Sequence, residues 1–253
     1  MKISVITATY NCASVVEDCL VSVARQTHTD VEHLVIDGAS TDGTLSLLQA
    51  NREALSILVT EPDSGIYDAL NKGVAKANGE VVGLLHADDL YADIEVLARV
   101  AEAFTDPQVG ALYGDLVYVS KSDSNCVIRN WHAEEFSLAR MLRGWMPPHP
   151  TLFLRRSLYE KFGLFDTRYR IAADYDFMLR VLTQLKPEQI VYIPEVLVRM
   201  RAGGVSNRSF KHLLRKSWED YKIIKRHRVG GLGTLLRKNL SKLPQFFSKN
   251  NVL

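Results

Sequence analysis

Four times in its first hundred residues the chain runs an apolar stretch into a short cluster of acids and hydroxyls. That pattern constrains the fold more than any other feature. Ile3–Ala8, His33–Ile36, Ser56–Thr60 and Val81–Leu85 are short apolar runs bounded by turn residues and read as buried strands. Stretches starting near Ser14, Thr44, Ile66 and Asp93, and ending near Leu55, Ala77 and Phe104 for the last three, carry helical character between and after them. Ser14-Val15-Val16-Glu17 has the form of a capping box, and Asn78-Gly79 that of a helix stop. Strand–helix alternation predicts an α/β fold with a mostly parallel sheet and helices on both faces. The strands end in Thr7-Ala8-Thr9-Tyr10-Asn11, in Asp37-Gly38-Ala39-Ser40-Thr41-Asp42-Gly43-Thr44, in Glu61-Pro62-Asp63-Ser64-Gly65 and in His86-Ala87-Asp88-Asp89. Open parallel sheets bind ligands outside the carboxyl ends of their strands, so the four clusters predict a single site.

The chemistry of that edge is acidic. No G-x-G-x-x-G follows the first strand and no G-x-x-x-x-G-K-[ST] is present, which argues against a dinucleotide fold and a phosphate-binding loop. Asp37, Asp63, Asp88 and Asp89 would repel a phosphate unless a divalent cation lay between them. Mg²⁺ or Mn²⁺ suits the role, as a hard ion held by one or two carboxylates together with substrate phosphate oxygens. Taken alone, Asp88-Asp89 reads equally well as an exposed acidic turn.

After Asp106-Pro107 the alternation loosens. Val109–Tyr113, Leu116–Ser120, Thr151–Leu154, Ile190–Ile193 and Val196–Met200 read as strands, and Phe136–Arg143 and Ala173–Leu185 as helices, with Pro147-Pro148-His149-Pro150 as a rigid connector. From Ser209 the chain is helical with a break at Gly230-Gly231. Net charge is +2, but residues 201–253 hold 13 Lys and Arg against 2 Asp and Glu, while residues 1–200 hold 18 against 27. An acidic body argues against nucleic acid as partner. The chain has 253 residues, enough for one large α/β domain with an appendage. No uninterrupted apolar run approaches eighteen residues, so no membrane span is expected, and the N-terminus reads as a strand and not a signal peptide. Cys12, Cys19 and Cys126 lack metal-site spacing and fit a reducing, cytoplasmic setting; Cys12 has no evident activator and reads as inert.

The strand-end clusters, together with Ser64-Gly65-Ile66-Tyr67-Asp68-Ala69-Leu70-Asn71-Lys72-Gly73, closely resemble family 2 glycosyltransferases of the GT-A fold, in particular the subgroup building bacterial exopolysaccharide, O-antigen and colanic-acid-type polymers. The resemblance covers residues 1–208, with a nucleotide-sugar-binding half to 106 and an acceptor-side half from 107. It implies an inverting hexosyltransferase, taking sugar from a nucleoside-diphosphate donor, UDP-linked by expectation, to a hydroxyl of a lipid-linked oligosaccharide. Asp37 would accept a hydrogen bond from the base, Thr7 and Thr9 would line the nucleoside pocket with Tyr10 and Asn11, and Asp63, Asn71 and Lys72 would complete the donor site. Asp88 would contact ribose or sugar, and Asp89 would bind Mn²⁺ or Mg²⁺. The resemblance places the general base at Asp174 in Ala173-Asp174-Tyr175-Asp176, with Asp176 structural; without it, Asp174 reads as a helix N-cap. No second carboxylate is placed for a covalent intermediate, which favours inversion. His149, Gly204 and Ser206 match acceptor-side positions. The sequence departs from the family at Gly38, where a second acid is usual, at Leu70, where Arg is common, and at Ala173.

Residues 209–253 form a basic amphipathic tail. Phe210, Leu213, Leu214, Tyr221 and Ile224, then Leu232, Leu235, Leu236, Leu240, Leu243, Phe246 and Phe247, recur at near-helical spacing. Such a stripe docks on an anionic membrane, making the protein peripheral on the inner face of the cytoplasmic membrane, or it packs on the catalytic domain or a second subunit of a homo-oligomer. Two other functions fit an α/β acidic edge: a sugar-1-phosphate nucleotidyltransferase, whose Gly-rich basic loop is missing after strand one, and a nucleotide-sugar-binding scaffold without catalysis.

Overall fold

The computed structural model describes residues 1–203 and 210–240. The first half forms β1 (Ile3–Thr9), α1 (Val16–Ala24), β2 (Val31–Asp37), α2 (Thr44–Ala50), β3 (Ile57–Thr60), α3 (Ile66–Lys76), β4 (Val81–Leu84), β5 (Leu90–Tyr91) and α4 (Val96–Ala103). The second forms β6 (Ala111–Val119), β7 (Val127–Trp131), α5 (Leu138–Met141), β8 (Phe153–Arg155), α6 (Arg156–Phe162), α7 (Ala173–Leu182) and β9 (Ile190–Arg201), followed by α8 (Phe210–Arg226) and α9 (Leu232–Leu240). Among the described residues one nine-stranded sheet runs β3-β2-β1-β4-β8-β6-β9-β5, with β7 on β6. Six strands, β1 to β4, β6 and β9, point the same way, and β5, β7 and β8 oppose them. The fold is the expected mostly parallel α/β arrangement.

Period-two alternation along β1 explains how both faces are covered. Ile3 and Val5 pack with Cys19, Val23, Val96 and Val100 from α1 and α4, while Ile6 and Ala8 pack with Ala69, Leu70 and Val74 of α3. Helix α3 lies so close that a Cβ on Gly73 would stand 2.4 Å from Ile6 Cγ2.

Several elements differ from the sequence expectation. The two strands expected between Val109 and Ser120 are the single β6, and those around Pro194 are the single β9. The β6–β9 register jumps from Gly114–Ile193 to Asp115–Val196, so Pro194 and Glu195 bulge out of the ladder and Pro costs no bond there. His149–Thr151 is a 3₁₀ turn ahead of β8, and α5 is shorter than the helix expected there. The capping box at Ser14 is not formed: α1 begins after Val15, and the Val15 and Val16 N–H groups bond the Cys12 carbonyl. β5, β7 and α6 are short elements that periodicity did not reveal. The expected break at Gly230-Gly231 is present between α8 and α9.

The tail packs on the second half of the α/β unit, against α7. Ile223 and Ile224 of α8 are buried, and Lys238 of α9 is buried against Asp220 at 2.5 Å, with its ammonium 3.2 Å from the centre of the Tyr175 ring. His227 bonds Asp176 at 2.8 Å, and Arg226 bonds Asp166 at 2.7 Å. The opposite faces expose Leu214, Trp218, Leu232, Leu236 and Leu240. No helix among the described residues is long and apolar enough to cross a membrane. The side chains of Phe210 and Leu213, and all of Leu243, Phe246 and Phe247, lie outside the described residues.

Candidate active site

At the carboxyl edge of β1 and β2, Asp37 is fully buried and is held by three donors. Thr9 Oγ1 donates to its Oδ1 at 3.0 Å, Ser40 Oγ to Oδ1 at 2.5 Å, and the Ser40 N–H to Oδ2 at 3.0 Å. Asn11, with φ +47°, accepts from the Thr41 N–H at 2.8 Å through its side chain and donates its own N–H to Ser40 Oγ at 2.9 Å. The two strand-end loops are thereby laced into one wall, with Tyr10 exposed above it. Asp63 closes the wall from β3: its Oδ1 accepts from the Gly65 N–H at 2.8 Å, and a Cβ on Gly38 would stand 2.5 Å from its Oδ2. Gly38 therefore stands where a second acid is usual because the Asp63 carboxylate already fills that space.

Other predicted donor residues are occupied. Thr7 is fully buried and bonds His33 Nε2 at 3.0 Å, so its hydroxyl faces the interior and not the edge. Asn71 donates to the Phe165 carbonyl and accepts from the Phe165 N–H, both at 2.9 Å, strapping the segment after α6 to α3. Lys72 pairs with Glu61 at 2.8 Å and lies 3.7 Å from Asp68, and the Glu61 partner raises its pKa. Cys12 is held inert by burial, which pushes its thiol up to about 11. Gly204 and Ser206 lie outside the described residues.

The adjacent acids after β4 differ in environment. Asp88 is half-buried, and its carbonyl accepts from Arg201 Nη1 at 3.1 Å. Asp89 is 1% exposed; its Oδ1 accepts the Arg201 N–H at 3.1 Å, and its Oδ2 is buried with no hydrogen-bond partner among the described residues. Burial first, and the Asp88 charge second, push the Asp89 carboxyl well above the usual range. Arg201 itself is anchored by Asp18 of α1. No group of three or more His, Cys, Asp or Glu side chains gathers into a metal cage among the described residues. A hard cation sharing ligands with substrate phosphates needs no such cage. The orphaned Asp89 oxygen beside the reachable Asp88 is the donor set that would fit one.

A second group of polar side chains converges on Asp174. The N-cap of α7 is Ala172, so Asp174 lies in the first turn and does not cap the helix. Its Oδ1 is 3.1 Å from the Tyr67 hydroxyl, which also reaches the Ile171 carbonyl at 2.8 Å, and its Oδ2 is 3.3 Å from His149 Nδ1. His149 Nε2 in turn lies 3.3 Å from His86 Nε2. A carboxylate only accepts, so His149 Nδ1 carries the hydrogen that faces it. Burial works to raise the Asp174 pKa, but His149, Lys238, the Tyr175 N–H and Tyr67 outweigh it and leave the carboxyl below its ordinary value. Tyr67 is thus a direct partner of Asp174, and His86 reaches it through His149.

Sequence spacing does not reveal how α7 is started. Glu219 of α8 accepts from the N–H groups of Arg170 at 3.1 Å, Ile171 at 2.8 Å and Ala172 at 3.1 Å. A side chain from the tail thus fixes the turn that leads into the helix carrying Asp174. The available signal was that Glu219 and Asp220 are the two acids among 13 cations of residues 201–253. Asp176 is structural as expected, fully buried between Arg180 at 3.1 Å and His227 at 2.8 Å.

Residues 4–170 match the family model of Glycosyl transferase family 2. A PGL/p-HBAD biosynthesis glycosyltransferase of Mycobacterium bovis is 35% identical over 210 residues, covering 81% of this chain and 78% of its own. An uncharacterized glycosyltransferase of Mycobacterium tuberculosis is 32% identical over 212 residues, covering 81% and 77%. Among solved structures, S. aureus TarS 1-349 in complex with UDP superposes with a TM-score of 0.68 at 19% identity, over 100% of this chain and 76% of its own. The mannosyltransferase PcManGT from Pyrobaculum calidifontis, in complex with GDP-Man and Mn²⁺, does so with 0.68 at 22% identity, over 98% and 73%. At these identities the structural likeness is one of fold. The chain belongs to glycosyl transferase family 2 and is a glycosyltransferase of the GT-A fold.

Proposed function

We propose that the enzyme is an inverting transferase that moves a sugar from a nucleoside-diphosphate donor, UDP-linked, to a hydroxyl of a lipid-linked saccharide in bacterial surface-polymer synthesis. The observation that carries this reading is the placement of Asp174. An ionised carboxylate, held between Tyr67 and His149, is tied through His86 to the turn that bears Asp88 and Asp89.

The donor lies along the Asp37–Asn11–Asp63 wall, where Asp37, already oriented by Thr9 and Ser40, accepts from the base. TarS binds UDP and PcManGT binds GDP-Man with Mn²⁺, which supports a nucleotide at this edge. Asp88, the reachable carboxylate, and the unsatisfied Oδ2 of Asp89 would hold Mn²⁺ or Mg²⁺. When bound, the ion neutralises the charge that develops on the departing diphosphate. Asp174 takes the proton of the acceptor hydroxyl as its oxygen attacks the anomeric carbon from the face opposite the leaving group, in a single displacement. His149 and Tyr67 keep Asp174 ionised and aimed. The catalytic unit is residues 1–208, with 209–253 as an appended helical tail, and the mycobacterial relative named for PGL/p-HBAD biosynthesis supports transfer of a sugar in a biosynthetic setting.

The test is thermal stability against UDP, GDP, dTDP and CMP, each with and without Mn²⁺, because a ligand that binds the folded state raises the midpoint. A rise with UDP that requires Mn²⁺, followed by turnover of a UDP-sugar with inverted product, is the expected result. No response to any nucleotide in a folded sample overturns the donor assignment.

A further inference from the structure

Between the 166–170 turn and α8 lies a cleft of about 730 Å³ that the transfer chemistry does not use. Four cations, Arg168, Arg215, Lys222 and Arg226, line it with the aromatic rings of Tyr169 and Trp218. Its carboxylates do not cancel this charge. Asp166 is shared between Arg168 and Arg226, at 2.7 Å from each, and the Glu219 carboxylate that meets Arg215 at 3.1 Å already accepts three backbone N–H groups. Arg168, Arg215 and Arg226 keep about half or more of their side chains open to solvent. On α8, Trp218 and Leu214 stand one turn apart and are each 57% exposed. Lys222 Nζ lies 5.2 Å from the Trp218 ring centre, and Tyr221 stacks on that ring.

Guanidinium groups recognise phosphate oxygens through paired donors, and an exposed indole beside a leucine favours the boundary between water and acyl chains. A small soluble anion such as pyrophosphate would use the cations but leave Trp218 and Leu214 bare, and nucleic acid would leave Leu214 bare and be repelled by the acidic body. We propose that this cleft binds the phosphate or diphosphate headgroup of a membrane amphiphile. The floor of the cleft gives the location meaning, since Glu219 fixes residues 170–172, immediately ahead of Asp174. A headgroup held there lies next to the helix of the base. The inference stands on the cleft's own residues, and its failure leaves the donor reading intact.

The test uses the full chain and the fluorescence of Trp218, assigned by loss of the signal change in Trp218→Phe. Three probes are titrated: vesicles of phosphatidylcholine alone, the same with phosphatidylglycerol, and inorganic pyrophosphate. The expected result is a change with phosphatidylglycerol vesicles, little with phosphatidylcholine alone, and at least a tenfold weaker response in Lys222→Gln and in Arg215→Gln/Lys222→Gln. Lys222 makes no ion pair among the described residues, so the single variant keeps the test usable should the double fail to fold. UDP binding should be the same in the variants. A response to pyrophosphate without one to vesicles overturns the lipid source. No response to either, or an equal response in the variants, overturns the site.

Discussion

The Asp174 carboxylate lies 3.3 Å from Nδ1 of His149, and the two side chains come from a 3₁₀ turn and a helix some 25 positions apart in sequence. On the proposed role of Asp174 as general base, this pair sets the expected pH behaviour of the reaction. Asp174 has a folded pKa below the ordinary carboxylate value, so it is ionised above that depressed value, and a base in this place should lose function only as pH falls through it. Asp174→Asn should leave nucleotide binding unchanged and lower kcat by about 10²–10⁴-fold, the usual contribution of a general base. His149→Gln removes a group that lowers the Asp174 pKa while burial still raises it. The acid limb of kcat/KM should then move to higher pH. A pH–rate profile of the two variants beside the parent checks both, and an unmoved limb in His149→Gln would remove His149 from the site.

Asp88 and Asp89 should separate in a metal-removal experiment. Asp89 is buried with one oxygen unsatisfied, an arrangement that destabilises the metal-free protein by about 1–3 kcal/mol. Asp89→Asn should therefore keep or raise the thermal midpoint in EDTA while losing the further rise that Mn²⁺ and UDP produce together. Asp88→Asn, at a half-buried position, should leave the midpoint in EDTA unchanged and lose the same rise. A parent protein whose midpoint is indifferent to Mn²⁺ with UDP would rule out both carboxylates as metal ligands.

Gly38 and Asp63 should behave as a coupled pair. A Cβ at Gly38 would stand 2.5 Å from Asp63 Oδ2 and 3.3 Å from Tyr10 Cδ2, and Asp63 cannot swing aside without giving up the Gly65 N–H. Gly38→Ala should cost about 1–3 kcal/mol by overpacking and weaken nucleotide binding several-fold. In Gly38→Ala/Asp63→Ala the overpacking disappears, so the double variant should be no less stable than Asp63→Ala alone. Denaturant unfolding of the four proteins gives the coupling directly.

The strand-end clusters were legible because a parallel sheet leaves them only one edge to occupy, and Asp37, Asp63 and Asp88 all reach it. Thr7 shares a face with Thr9 but lies two residues further from the strand end, inside a fully buried strand, where its hydroxyl meets His33. Asn71 and Lys72 follow the motif in sequence, but their side chains are consumed by Phe165 and Glu61, partners that no local pattern encodes. The bulge at Pro194 and the short β5 and β7 depend on pairing between distant segments, which is why two strands were expected where β9 is one. The tail's apolar stripe was visible, but not that its two acids and Lys238 would turn inward to brace α7.

That bracing predicts a catalytic role for the tail. Glu219 supplies the acceptor for three N–H groups at the start of α7, a helix whose own N-cap, Ala172, has no side-chain acceptor. Glu219→Ala should destabilise the fold by about 1–3 kcal/mol, the cost of leaving buried donors unsatisfied. It should also lower kcat at least tenfold with KM for the donor nearly unchanged, because the donor wall lies on other elements. Glu219→Gln, which keeps an acceptor oxygen, should recover part of the loss. A donor KM that rises as much as kcat falls would mean that Glu219 acts on the whole fold and not on the base.

His33 carries the last expectation, for stability in acid. Its ring is buried beside Thr7, and burial lowers its pKa to about 4 from the ordinary 6.5. Between those values the unfolded chain binds a proton that the folded chain refuses, so stability is complete above about pH 6.5 and is lost as pH falls towards 4. A difference of this size corresponds to a loss on the order of 3 kcal/mol from this group. The buried, ion-paired Asp176 adds to the same trend, since its carboxyl is held below the ordinary value by His227, Arg180 and Arg226 against the opposing effect of burial. Its contribution is present above the usual carboxylate range and is lost at still lower pH. His33→Gln keeps an amide near Thr7 but does not titrate. Urea unfolding at pH 7 and pH 4.5 should show a smaller drop in stability for His33→Gln than for the parent, and equal drops would show that His33 does not govern the acid sensitivity.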